Sequence, residues 1–161
     1  MCSGPKHGTC CSATTTAGGS WRVCPPRLDV ARTVTYLHFT QGYSSANLDQ
    51  QAAAAQRGDA IWLGRQLHRL TPGDFETTGL LALMLLHEAR AAARTDHRGE
   101  LVPFTAQEHS RYDTAAIAEA RQLLAETAAV AGELGSYQTH AAIAAVQTGP
   151  DAPTTSTTNC S

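Results

Sequence analysis

The sequence predicts an all-α protein, an antiparallel helical bundle or helical-repeat-like array of about five helices, with a short extended segment near 100–104. Three observations carry that expectation. First, Leu80 to Leu86 is a run of strong helix formers that continues into Glu88-Ala89-Arg90-Ala91-Ala92-Ala93-Arg94. Seven apolar residues are too few to cross a bilayer, which takes about 20, so this helix belongs in the middle of a core. Second, the 42% hydrophobic share leans on alanine and the aromatic share is 6%, which favours closely packed helices over a β-sandwich. Third, turn chemistry interrupts the apolar spacings at intervals suited to helical hairpins.

Taken in order, residues 1–26 are small and polar, end at Pro25-Pro26, and are expected to be a disordered leader. A helical domain is expected over 27–147. Its first helix begins at Arg27, places Leu28, Ala31, Val34 and Leu37 near one face, and stops at Gly42. Tyr43 to Asn47 reads as a turn. Asp49 is placed to cap a second helix, whose Ala60, Leu63, Leu67 and Leu70 form a stripe and whose Gly58 weakens it. Thr71-Pro72-Gly73-Asp74 ends it. The leucine-rich third helix runs from about 75 to 94. Asp96 to Gly99 is turn chemistry, Leu101, Val102 and Phe104 suit a short extended piece, and Thr105-x-x-Glu108 has capping-box form. A fourth helix is expected from about 113 to 134, with Ser110 or Asp113 at its entry and Ile117, Ala120, Leu123, Leu124, Ala131 and Leu134 inward. Gly135-Ser136 precedes a fifth, Tyr137 to Gln147, whose alanines permit close approach. Residues 148–161 read as a disordered tail.

The net charge is −2, from 12 Lys+Arg against 14 Asp+Glu, so no global basic field draws in nucleic acid and direct DNA binding is not expected. Of five cysteines, Cys2, Cys10, Cys11 and Cys24 crowd the start and Cys160 is next to last. No Cys-x-x-Cys spacing occurs, and these thiols are expected to be incidental. There is no apolar signal core and no membrane segment, so a cytoplasmic location is expected.

His87-Glu88 begins the His-Glu-x-x-His zinc motif, but position 91 is alanine and the second ligand is missing. A metal- or ligand-binding helical enzyme would need at least three of His87, His97, His109 and His140 to converge. No phosphate-cradling, dinucleotide or nucleophile-elbow motif is present. No enzyme and no cofactor are expected. The candidate protein-interaction residues are His87, Arg90 and Arg94, at i, i+3 and i+7 on one stripe, and Arg111 with Tyr112, residue types favoured at binding hot spots. A solvated or internally paired stripe is the competing expectation for the first three, and local helix-entry pairing for the last two.

Several blocks then occur in a telling order. They are Tyr36-Leu37-x-Phe39-x-x-Gly42-Tyr43-Ser44, Asp59-Ala60-Ile61-x-Leu63-Gly64-Arg65, Gly79 to His87 with Ala89-Arg90, Gly99-x-Leu101-Val102, Gln107 to Asp113, and Tyr137-Gln138-x-His140 to Ala145. Together they resemble the carboxy-terminal, tetratricopeptide-like helical extension of a bacterial class of extracytoplasmic-function RNA polymerase sigma factors, over about 27 to 147. The family's Phe-Asn-Glu-Gly-Tyr stands here as Phe39-Thr40-Gln41-Gly42-Tyr43, and its Trp as Tyr112.

The resemblance implies a role in transcription initiation exerted through protein–protein contacts. Expected partners are sigma-factor regions or RNA polymerase. Neither promoter-reading region of such a factor is expected in this chain, which on this reading is a truncated fragment, and self-association through uncovered helix faces is expected. A stand-alone helical adaptor unrelated to transcription is the alternative.

Overall fold

The computed structural model describes residues 25–44, 49–128 and 134–149. All five cysteines, nearly all of the expected leader and most of the expected tail lie outside them, as do Ala131 and the Ser45 to Asn47 part of the first expected turn. Five α-helices make up the described chain: α1 (Pro25–Ser44), α2 (Gln50–Leu70), α3 (Phe75–Ala89), α4 (Thr114–Ala128) and α5 (Ser136–Gln147). Three single 3₁₀ turns, Ala91–Ala93, Phe104–Ala106 and His109–Arg111, carry the chain from α3 to α4. The all-α expectation is met, and none of the helices is long and apolar enough to cross a membrane.

α3 is the axis. Every residue from Thr77 to Leu86 is buried, and the helix packs against each of the other four. Side-chain pairs fix the directions. Arg32 meets Asp74 while Phe39 and Tyr43 meet His87, so α1 runs parallel to α3. Arg57 pairs with Glu88, and His68 with Thr78, so α2 runs against it. The amides of Tyr137 and Gln138 bind Glu76 at the start of α3, so α5 is parallel to α3 again. α4 starts at the other end, where the Asp113 amide donates to the Ala89 carbonyl at 2.9 Å. Odd helices run one way and even helices the other, as a chain of helical hairpins requires.

Local chemistry explains the boundaries. Pro25 and Pro26 begin α1, since proline's fixed φ and missing amide suit a first turn. Gly73, at φ 82°, makes the tight link from α2 to α3. The Asp74 carboxylate accepts from the Thr77 amide at 3.0 Å and caps α3. α4 is capped by Asp113, which accepts from the amides of Ala115 and Ala116 at 2.9 and 3.1 Å. No α-helix starts at the expected Thr105–Glu108 capping box: two 3₁₀ turns, Phe104–Ala106 and His109–Arg111, occupy the region, and α4 begins at Thr114. Among the described residues, Thr95 and Leu101 alone form an antiparallel bridge, and the extended piece ends before Phe104. Thr148, assigned to the tail, is buried and returns its hydroxyl to the Ala144 carbonyl.

The inward faces of α1 and α2 differ from the expected ones. Val34 and Leu37 are exposed, whereas Leu28, Arg32, Thr35 and Phe39 are buried. Arg32 and Thr35 can turn inward because both are satisfied there, by Asp74 and by the Ala31 carbonyl. On α2, Leu63 and Leu70 are exposed, while Ala53, Ala60 and Gly64 are buried. Small residues win because α2 lies close to its neighbours: a Cβ on Gly64 would stand 2.5 Å from the Met84 methyl. Leu134 lies beyond α4 and is exposed; Ala120 and Leu123 are inward as expected.

Candidate functional site

α3 ends at Ala89, short of the expected 94, so of the expected stripe only His87 is on the helix; Arg90 and Arg94 flank the 3₁₀ turn that follows and turn into the protein. The Arg90 guanidinium is buried, donates to the Gln107 side-chain oxygen at 3.2 and 3.3 Å, and lies over the Phe104 ring at 4.5 Å. Arg94 donates to the Tyr43 carbonyl at 2.8 Å and covers the Tyr43 ring at 3.6 Å. Both are cation–π contacts, and they clamp the last turn of α1 and the connection before α4 onto the end of α3. Tyr112 is buried too, its hydroxyl donating to the same Gln107 oxygen at 3.2 Å. Arg90 and Tyr112 are therefore fixed inside, where a partner cannot reach them. Arg111 alone of the five candidate residues is exposed, with one long bond to the Thr95 carbonyl. Gln107, which gathers Arg90, Tyr112 and the Val102 carbonyl, is the organising residue of this corner. The sequence marked its segment but not its role, because a glutamine in a polar stretch carries no periodic signal.

The other end of the stripe opens into a groove. Tyr36 of α1, Leu83 and His87 of α3, and His140, Ile143, Ala144 and Gln147 of α5 line a hollow of about 290 Å³. Tyr36 stacks edge-on against Tyr137, and the Phe39 and Tyr43 rings pack against His87. His87 Nδ1 is buried and has no hydrogen-bond partner. Burial holds this imidazole down to about 4, and the neighbouring Arg90, Arg94 and His140 reinforce the shift. Burial likewise pushes the Tyr36 phenol up, so it stays protonated.

The four histidines do not converge. His87 and His140 share this groove; His97 lies in a second hollow with Asp96, Glu108 and Arg111, and His109 packs on Tyr112. Among the described residues there is no group of three or more side chains that could hold a metal ion. Glu88, the other half of the zinc-motif fragment, is taken by Arg57 at 2.6 Å.

The state of His87 has a measurable consequence. Its value in the fold lies below the ordinary 6.5, so the unfolded chain takes up the proton first. The stability this contributes is complete above about pH 6.5 and is lost as pH falls toward about 4, a total of about 3 kcal/mol. Urea midpoints measured across that interval are expected to fall in the native chain. In His87→Phe, which keeps a ring in the site, the same series is expected to be flatter.

A family described as a family of unknown function (DUF6596) matches residues 27–128. An uncharacterized protein of Rhizobium meliloti (strain 1021), R00370, is 37% identical over 127 residues, which are 79% of this chain and 30% of that protein. The chain therefore spans about 30% of the length of this relative. No solved structure matches.

Proposed function

From the premise that this chain belongs to the family of unknown function DUF6596, we propose that it is a helical interaction module, the extension of an extracytoplasmic-function RNA polymerase sigma factor. On this reading it acts in transcription initiation through protein contacts, with sigma-factor regions or RNA polymerase as partners, and does not itself read promoter DNA. The observation that carries the interaction role is the apolar outer surface on α1 and α5. Val30, Val34 and Leu37 on α1 are 56–62% exposed, and Ile143 and Val146 on α5 are 52% and 73% exposed. Each set falls on one helical face at i, i+3 or i+4 spacing, the pattern of a surface made to be covered. The length of the Rhizobium relative supports the sigma-factor part, since most of that protein lies outside the match and leaves room for polymerase- and promoter-binding regions.

The test is affinity capture with the tagged chain in a bacterial host. Polymerase subunits or a sigma factor are expected among the captured proteins, and Val34→Glu with Leu37→Glu is expected to remove them. Capture of other proteins without polymerase would favour the stand-alone adaptor. A promoter duplex is not expected to shift on addition of the chain, given its net charge of −2.

A further inference from the structure

We propose that the outer face of α1 is the seam of a homodimer, in which α1 of a second copy lies antiparallel across it. This rests on the interaction role given to that stripe and names what covers it in the isolated chain. α1 is apolar on both sides: Leu28 and Phe39 are buried on the inner one, while Val30, Val34 and Leu37 stay exposed on the outer one. With Arg27, Gln41 and Ser44, also exposed, these three step along the helix at intervals of 3, 4, 3, 4 and 3 residues. That alternation is the seam of a coiled coil, whose side chains fit holes that a facing helix supplies. The rim of the seam can lose its water. Thr33 and Thr40, each one residue before a seam position, return their hydroxyls to the Asp29 and Leu37 carbonyls, both at 2.9 Å. Trp62, Leu63 and Leu70 on α2 are exposed too, so six of the ten exposed large hydrophobic residues among the described ones belong to this first hairpin.

The charges select the second copy, its direction and its register. Arg27, at the first position, is the only charged residue of the seam. The other charges of α1 are used elsewhere, Asp29 on Arg32 and Arg32 on Asp74. A strongly charged partner helix finds no complement across residues 30–41, whereas the seam's own copy meets no like charge there. Parallel pairing would stack Arg27 on Arg27 of the second copy. Antiparallel pairing that sets Val34 opposite Leu37 of the second copy also sets Val30 opposite Gln41 and Arg27 opposite Ser44. The two guanidiniums then stand about 25 Å apart, at 1.5 Å per residue. A slip of one heptad would put Arg27 on Leu37 and bury an unpaired cation. Antiparallel neighbours are also how α1 lies on α2 and α3 on α4 within the chain. One seam of six positions buries less than about 1,200 Å² in total, the class of weak and concentration-dependent association.

Sedimentation equilibrium and light scattering on the purified 17.0 kDa chain test this. The mass is expected to rise from one copy to two as the concentration passes about 10–100 µM. Val34→Glu is expected to hold it at one copy throughout, with the helical circular dichroism unchanged because the position is 60% exposed. Ser44→Glu is expected to tighten the dimer about fivefold at low salt, since it faces Arg27 of the second copy and the pair occurs twice. In a parallel dimer the two new glutamates would face each other and weaken it. Ile143→Glu, on the apolar stripe of α5, is expected to leave the dimer as it is. One copy at every concentration up to about 500 µM, growth beyond two copies, a dimer that survives Val34→Glu, one that Ser44→Glu does not tighten, or one lost with Ile143→Glu would overturn the inference. The purified chain is measured without polymerase, so failure here and failure of the sigma-factor reading are separate results.

Discussion

Asp74→Ala is expected to destabilise the protein by about 3 kcal/mol, read from urea denaturation followed by helical circular dichroism. Two separate losses add. The first is the cap of α3, since the Asp74 carboxylate accepts from the Thr77 amide and from its hydroxyl; caps of this kind contribute about 1 kcal/mol. The second is the partner of a buried cation. Arg32 is 8% exposed and lies against Asp74 at 2.5 Å, with Thr77 Oγ1 behind it. Its remaining acid, Asp29, stands on the surface with a side chain 68% exposed, where it compensates the charge only in part. Asp74→Asn separates the two losses, because an amide oxygen still caps the helix but carries no charge. Arg32→Leu placed on Asp74→Asn is expected to recover part of the stability, as removing both members of a buried pair costs less than removing one. If Asp74→Asn alone is as stable as the native chain, the ion pair has no structural weight and this account of α1 fails.

Gly79→Ala and Gly58→Ala, the same substitution in two helices, are expected to move stability in opposite directions. A Cβ on Gly79 would stand 2.6 Å from the amide nitrogen and 2.8 Å from the Cα of Gln138. Those atoms are backbone, so relief requires α5 to move off α3. The shift would also pull the first amides of α5 from Glu76, which holds both at 3.1 Å. Overpacking of this kind costs about 1–3 kcal/mol, and Gly79→Val is expected to exceed it. Around Gly58 nothing lies within 4 Å of the added carbon, so the gain in helix propensity stands alone, about 0.5–1 kcal/mol of stabilisation. Thermal midpoints of the two variants check both signs. A tolerated Gly79→Val would mean that α5 is not docked as described.

Read alone, the sequence determined the number and order of the helices, the central place of the leucine-rich one, and the hinges at Gly73 and before Ser136. These are consequences of local propensity and of an apolar run that can only be buried. The cap of α4 was legible only as Ser110 or Asp113, and the fold chose Asp113, whose carboxylate meets the first amides of the helix. What only the tertiary structure decided is which face of α1 and α2 turns inward, and what the polar end of α3 is for. Val34 and Leu37 look like core by composition, yet Arg32 and Thr35 take the inner position because Asp74 and a backbone carbonyl make it polar enough to hold them. Arg90, Arg94 and Tyr112 look like surface by residue type, yet Gln107 and Phe104 draw in Arg90, Gln107 also takes the Tyr112 hydroxyl, and Tyr43 of α1 holds Arg94. The groove at His87 needs three helices in register before it exists. A single sequence encodes periodicity along one helix, but burial of a charge depends on a partner supplied by another, and that pairing is settled only when the helices meet.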